Sequence, residues 1–403
     1  MTRSSTFAAL RTRNYRLYWI GLICYVLGHR AEYVTSAWLV WEVTHQPLYL
    51  GYLGLAQGVP LVLFQLWGGV LAARTNRLRL LVGTQFLIAL TLTIAFGLTV
   101  LGMVRVHHLL ALAALSSIFR AFDEPSRMAL VPQLIDRAQL PNAIALGSIP
   151  WQAGRMIGLS ITGILIAAFG GAVGIGLAAL TSCVALALYS RVRIADAAPV
   201  KTGQRVLSQL AEGVRYVVHD FVFASLVTLA LFNALFGLSY VTLLPIFADW
   251  YFGTGSVGYG LLQAAHGAGA LVGTLTIATI AHRIRRPGRV LLIGATCMGL
   301  ALMVFSRAPG MGLALAMLPL VGFSNTFYLT QVSTFLQHKV PDHLRGRVMS
   351  IYALCWNVLP LGGLVGGALA AAVDARFAVM TGGALVAANA LLLLFSRRLR
   401  ALA

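Results

Sequence analysis

Twelve runs of about 20 mostly apolar residues follow one another along this chain, and about 20 such residues is the length a helix needs to cross a bilayer. Lipid offers no partner to a backbone N–H or C=O, so runs of this kind fold as packed helices. The expected spans are Tyr18–Trp41, Tyr49–Ala72, Leu80–Val100, Leu109–Pro125, Ala143–Phe169 and Ala172–Ser190 in the first half. Phe221–Phe247, Gly258–Ala281, Val290–Phe305, Leu313–Leu336, Val348–Val373 and Phe377–Phe395 form the second half. Composition agrees: 59% of the 403 residues are hydrophobic and 10% are charged, against roughly 25% charged in soluble domains. The expected fold is an all-α polytopic membrane protein with twelve transmembrane helices.

The net charge is +19. Spread over a soluble surface this excess would suggest a nucleic-acid partner, but its distribution excludes that reading. With the N-terminus inside, 24 of the 30 basic residues fall on inside segments, from Arg3, Arg11, Arg13 and Arg16 to Arg397, Arg398 and Arg400. Outside loops hold Arg105, Arg307 and Arg376, and spans hold Arg30, Arg120 and Arg155. This alternation is the positive-inside signature and places both termini in the cytoplasm. No small-residue cleavage site follows the first apolar run, so that run is expected to remain as a span. Cys24, Cys183, Cys297 and Cys355 have no CxxC spacing, so neither a disulfide framework nor a metal site is expected.

Two halves are expected, 1–190 and 221–403, joined by a cytoplasmic linker 191–220. Within the linker, Val206, Leu207, Leu210, Val214, Val217 and Val218 have helical spacing, which suits an amphipathic helix on the membrane surface. A plain tether is the alternative. Arg74 and Arg77 recur as Arg283 and Arg286, and Val131-Pro132 recurs as Val340-Pro341, at one shared offset of 209. Two six-helix pseudo-repeats flanking a mid-membrane site are a transporter plan.

The segment Gln337-His338-Lys339-Val340-Pro341-Asp342-His343-Leu344-Arg345-Gly346-Arg347-Val348-Met349-Ser350 resembles the loop between spans ten and eleven of major facilitator superfamily transporters. The resemblance is to the bacterial exporter branch containing enterobactin (siderophore) exporters and macrolide efflux proteins. Pro360-Leu361-Gly362, Phe122-Asp123-Glu124-Pro125-Ser126-Arg127, Leu140-Pro141-Asn142-Ala143, Asn14-Tyr15-Arg16 and Trp38-Leu39-Val40 extend it over nearly the whole chain. It implies gating loops around Gly69, Arg74 and Arg77, and around Asp342, Arg345, Gly346 and Arg347. Two departures stand out. The loop after span two carries Ala73 where the superfamily has an acid, and span five reads Gly158-Leu159 where antiporters have Gly-Pro.

Charges inside spans are costly, by about 2.5–3.5 kcal/mol on insertion scales, and therefore point to function. Glu32 and Arg155 fall at similar depth in spans one and five and are expected to pair. A carboxyl that exchanges an arginine for a proton is a candidate proton carrier, and a static ion pair is the alternative. His29 lies on the same helical face as Glu32 and is a second coupling candidate, next to Arg30. Arg120 and Asp123 in span four are expected to pair locally, with Asp123 partly hydrated near the inner end and beside Glu124. His266, Asn233, Asn325 and Gln331 are candidates for lining a cavity, with Trp151 and Trp356 offering aromatic faces. Each polar group has the alternative of a helix–helix hydrogen bond, and each tryptophan that of a lipid or helix contact. Trp41 and Trp250 are expected at outer span ends as interfacial anchors.

No phosphate-cradling loop and no nucleophile spacing occur, so neither a cofactor nor enzymatic chemistry is expected. The resemblance implies a monomeric secondary exporter in the lipid bilayer, driven by protons, for a small amphipathic molecule such as a siderophore or drug; fold and charges alone fit import and export alike. A metabolite importer of the same fold is the first alternative, and a membrane-embedded sensor or enzyme the second.

Overall fold

The computed structural model describes residues 8–136, 139–154, 158–194, 215–280, 284, 286–340, 348–349, 351–352, 355–356 and 358–396, without the side chains of 66, 73, 141, 145, 152, 159, 160, 278 and 338. The linker helix expected over 206–218 lies almost wholly outside these residues, as do Arg155 and the loop with Asp342, Arg345, Gly346 and Arg347.

Among the described residues the regular structure is helical. In the first half the helices are α1 (Arg13–Thr44), α2 (Pro47–Arg74), α3 (Arg77–Val100), α4 (Val106–Leu130), α5 (Leu140–Ala153), α6 (Leu159–Phe169) and α7 (Gly171–Tyr189). The second half has α8 (Phe221–Phe232), α9 (Tyr240–Ile246), α10 (Gly255–Ile280), α11 (Pro287–Ser306), α12 (Met311–Lys339), α13 (Leu359–Ala372) and α14 (Ala375–Leu394). With α5 and α6 sharing the fifth span and α8 and α9 the seventh, they occupy all twelve expected spans. Seven stretches among the described residues are long and apolar enough to cross a bilayer, including Arg77–Val100, Phe221–Tyr251 and Ala375–Leu394.

Local chemistry sets the helix ends. Asn76 accepts hydrogen bonds from the Leu78 and Arg79 N–H groups at 3.1 Å each and starts α3. Asp220 and Asp374 cap α8 and α14 in the same way, satisfying donors that the first turn leaves open. Gly170 turns α6 into α7 at φ +82°, a conformation that a Cβ would strain. Span four was expected to end at Pro125, yet α4 runs on to Leu130 with that proline inside it. The seventh span is interrupted by two π-helical segments, Asn233–Gly237 and Phe247–Tyr251, which the apolar pattern does not signal. Trp41, expected as an interfacial anchor, is fully buried, whereas Trp250 is exposed.

The chain divides into two compact units, Met1–Val43 with Ala56–Thr202 and Thr44–Leu55 with Gly203–Ala403. In the first, α3 packs on α4 and α7, and in the second, α11 packs on α12 and α14. These are the third span against the fourth and sixth of each half, so the repeat seen in loop spacing is also a repeat of packing. Small residues allow the closeness: α1 and α7 meet where Gly21 faces Tyr189 and Gly174 faces Thr35, and α11 meets α14 at Gly299 and Gly383. Without a hydrophobic drive between helices in lipid, such van der Waals contact supplies much of the association.

Candidate functional site

Helical spacing lines up one face of α1. Tyr18, Tyr25 and Glu32 recur every seven residues, with His29 one turn from Tyr25. On α4, Arg120 and Arg127 are also seven apart, with Asp123 between them. The fold brings these two faces together. Arg120 Nη2 donates to Glu32 Oε2, and both residues are buried. Arg127 Nη2 donates to Asp123 Oδ2, one turn away on the same helix, while Arg127 Nη1 donates to the Tyr189 hydroxyl.

Tyr25 joins the two ion pairs. Its ring lies 5.5 Å from the Arg120 guanidinium carbon and 3.7 Å from that of Arg127. Arg127 also lies 5.3 Å from the ring centroid of Tyr189. Desolvated cation–π contacts of this kind contribute about 2 kcal/mol. Asp123 Oδ1 accepts from the Thr84 hydroxyl at 3.3 Å. Tyr25 further stacks on His29 and meets Trp151 edge-on, at centroid separations of 6.2 and 6.0 Å. The fifth span seats against the first through hydrogen bonds from Tyr15 to the Ala143 carbonyl, 2.7 Å, and from Trp19 to the Leu146 carbonyl, 2.8 Å.

Several expectations change here. Arg120 does not hold Asp123; it holds Glu32, and Asp123 pairs instead with Arg127 one turn on, with the acid N-terminal to the base, the favourable order on a helix. The partner expected for Glu32, Arg155, lies outside the described residues. Asp123 is 0% exposed, fully buried where partial hydration was expected. Arg127, counted among the inside-loop bases, is 4% exposed inside α4. Tyr25, Tyr18, Tyr189, Thr84 and Arg127 were not singled out; the seven-residue recurrence on α1 and α4 could have indicated Tyr18, Tyr25 and Arg127, whereas Tyr189 on α7 and Thr84 on α3 carry no such signal.

The second unit holds a neutral polar set. Asn233 Nδ2, in the first π-helical segment, donates to Asn325 Oδ1 on α12 at 3.0 Å. The Tyr240 hydroxyl meets His266 Nδ1 at 2.7 Å. Gln331 is buried and its Nε2 has no hydrogen-bond partner among the described residues. Trp356 meets Tyr352 edge-on at 6.3 Å. Where gating was expected, between the second and third spans, Arg77 Nη1 donates to the Ala129 carbonyl at 2.9 Å and Arg74 is exposed. A Cβ on Gly69 would meet nothing within 4 Å, whereas one on Gly68 would collide with the α4 backbone at Ala121. Gly68 is therefore the glycine at which α2 packs on α4.

Packing of the third span on the fourth and sixth in both halves of the chain, with buried charge held between spans one and four, is the arrangement of a membrane transporter of the major facilitator type. The chain belongs to the transmembrane secretion effector family, whose model matches residues 4–402. It is 24% identical to the staphyloferrin A transporter of Staphylococcus aureus, over 84% of this chain and 85% of that one. It is 27% identical to the multidrug efflux pump Tap of Mycolicibacterium fortuitum (85% and 86% covered) and 27% identical to the enterobactin exporter EntS of Citrobacter koseri (89% and 86%). Among solved structures, the nucleoside transporter NupG superposes with a TM-score of 0.68 at 14% identity, covering 96% and 98% of the two chains. A bacterial homologue of the lysosomal transporter Spinster superposes at 0.69, with 16% identity and 96% of each chain covered. These two likenesses establish the fold.

Proposed function

We propose that this protein is a proton-coupled exporter of the bacterial inner membrane, moving a small amphipathic molecule such as a siderophore or drug by alternating access. The proposed halves are 1–190 and 221–403, joined by the linker 191–220, and both termini lie in the cytoplasm. The protein works as a monomer in the bilayer. Glu32 is the proton carrier, and the observation that carries this reading is its buried ion pair with Arg120. Arginine stays charged throughout, so the carboxylate is the member of the pair that can take up a proton. Protonation dissolves the pair, and re-forming it expels the proton on the other side. Asp123, His29 and Arg155 tune that exchange. Arg30, Trp151, His266, Asn233, Asn325, Gln331 and Trp356 contribute to the substrate path. Export is supported by the relatives whose names describe efflux of enterobactin or drugs.

The test is transport in everted membrane vesicles, with a labelled catecholate siderophore in one arm and ethidium in the other. Accumulation of either substrate that requires an inside-acid gradient supports the reading. Accumulation that ignores the gradient, or that occurs only in right-side-out vesicles, contradicts it.

A further inference from the structure

The start of the first span and the end of the sixth are bonded side by side. Asn14 Nδ2 donates to the Arg193 carbonyl, and Asn14 Oδ1 accepts from the Arg193 N–H at 3.3 Å. Beneath this clasp α1 and α7 pack closely, with the rings of Tyr18 and Tyr189 6.0 Å apart and Gly21 against Tyr189. Each helix keeps a stripe of exposed residues outside that seam. On α1 it is Arg13, Arg16, Ile20 and Ile23, whose spacing puts them on one helical face. On α7 it is Leu180, Val184 and Ala187, and Arg191 continues it past the helix end. Both stripes run from apolar residues within the span to arginines at the clasped end, where Arg193 is exposed as well. No acidic residue occurs within 1–31 or 137–195, and among the described residues no carboxylate pairs with these four arginines.

We propose that this corner of the first unit holds an anionic phospholipid of the surrounding bilayer, such as phosphatidylglycerol, with its phosphate among Arg13, Arg16, Arg191 and Arg193. The ligand fits both parts of the surface. Its acyl chains lie along Ile20, Ile23, Leu180 and Val184, and a guanidinium donates two parallel N–H groups to phosphate oxygens. Arginine stems reach from the span to headgroup level without burying charge. Membrane orientation would require the charges alone. The Asn14 clasp adds a frame that fixes two charged segments beside each other, which a bound headgroup uses and a topological signal does not. A zwitterionic headgroup brings its own cation into the cluster and loses most of the attraction. The surface is separate from the α1–α4 ion pairs, so it does not depend on Glu32 carrying a proton.

The experiment is native mass spectrometry of the full chain in detergent, titrated with phosphatidylglycerol or phosphatidylcholine. The wild type should bind phosphatidylglycerol more tightly. An arginine near an anionic lipid contributes about fivefold, so the triple variant Arg13→Gln, Arg16→Gln and Arg191→Gln should lose about a hundredfold in phosphatidylglycerol affinity and little in phosphatidylcholine affinity. Arg286→Gln with Arg289→Gln removes exposed charge from the second unit and should leave the tight site intact. Asn14→Ala keeps every arginine but unties the clasp, and it should weaken phosphatidylglycerol alone. Melting curves in phosphatidylcholine nanodiscs check that each variant is folded. Should the triple variant not fold, the wild-type preference and its weakening in Asn14→Ala carry the test. Equal affinity for the two lipids in the wild type would overturn the proposal. So would a loss in the second-unit variant as large as in the triple variant, unchanged binding in Asn14→Ala, or displacement of the lipid by equimolar inorganic phosphate.

Discussion

The guanidinium carbon of Arg127 lies 3.7 Å from the ring centroid of Tyr25, so a charge on the fourth span rests on an aromatic ring of the first. The same ring faces Arg120. Tyr25 is thus the common wall of two ion pairs, and it couples the position of Glu32 to that of Asp123 through packing.

Removing the hydroxyl of Tyr25 and removing its ring should differ. Tyr25→Phe keeps both cation–π contacts and should melt close to the wild type. Tyr25→Ala leaves a void beside two arginines and should cost about 3–5 kcal/mol, the usual range for deleting a buried aromatic side chain. Thermal unfolding of the two variants in the same detergent measures this. Equal melting points would show that the ring supports neither pair.

Asp123 and Arg127 should show strong coupling in a double-mutant cycle. Asp123→Ala alone strands a buried guanidinium, with an expected loss of about 3–5 kcal/mol. Adding Arg127→Leu should recover part of that loss, since no unpaired charge remains. The cycle is read from thermal unfolding, and additive losses would mean that the pair contributes nothing.

Adjacent glycines near the end of α2 should respond in opposite ways. Gly68→Ala drives a methyl group into the α4 backbone at Ala121, whereas the methyl of Gly69→Ala enters open space. The first substitution should lower the yield of folded protein and its melting point, and the second should leave both unchanged. Size-exclusion profiles and melting curves of the two variants check the contrast.

How far the sequence exposed these features depended on the kind of constraint. Bilayer thickness forces long apolar runs, so the twelve spans were legible, while the repeat was legible in loop spacing and the resemblance in loop motifs such as 337–350. Glu32, Arg120 and Asp123 stood out because charge inside an apolar run is costly. Their pairing did not, because which arginine meets which carboxylate depends on how two helix faces are rotated. Arg127 was hidden by its position near a span end, where a base reads as a loop residue. The π-helical segments at Asn233 and Phe247 leave no mark on hydropathy, since they shift register without changing composition.

The proposed membrane orientation rests on the basic-residue asymmetry and is open to direct measurement. Reporter fusions after Ala197 and Ala401 should read cytoplasmic, and a fusion after Thr254 should read periplasmic. A periplasmic signal after Ala197 would mean that the first half does not contain six spans.

Glu32 as the proton carrier is tested most directly by one variant in proteoliposomes. Glu32→Gln keeps the size of the side chain and much of its hydrogen bonding but cannot titrate. The variant should still bind the labelled catecholate siderophore, and its pH-driven accumulation should be lost. Gradient-driven accumulation at the wild-type rate by Glu32→Gln would contradict the mechanism.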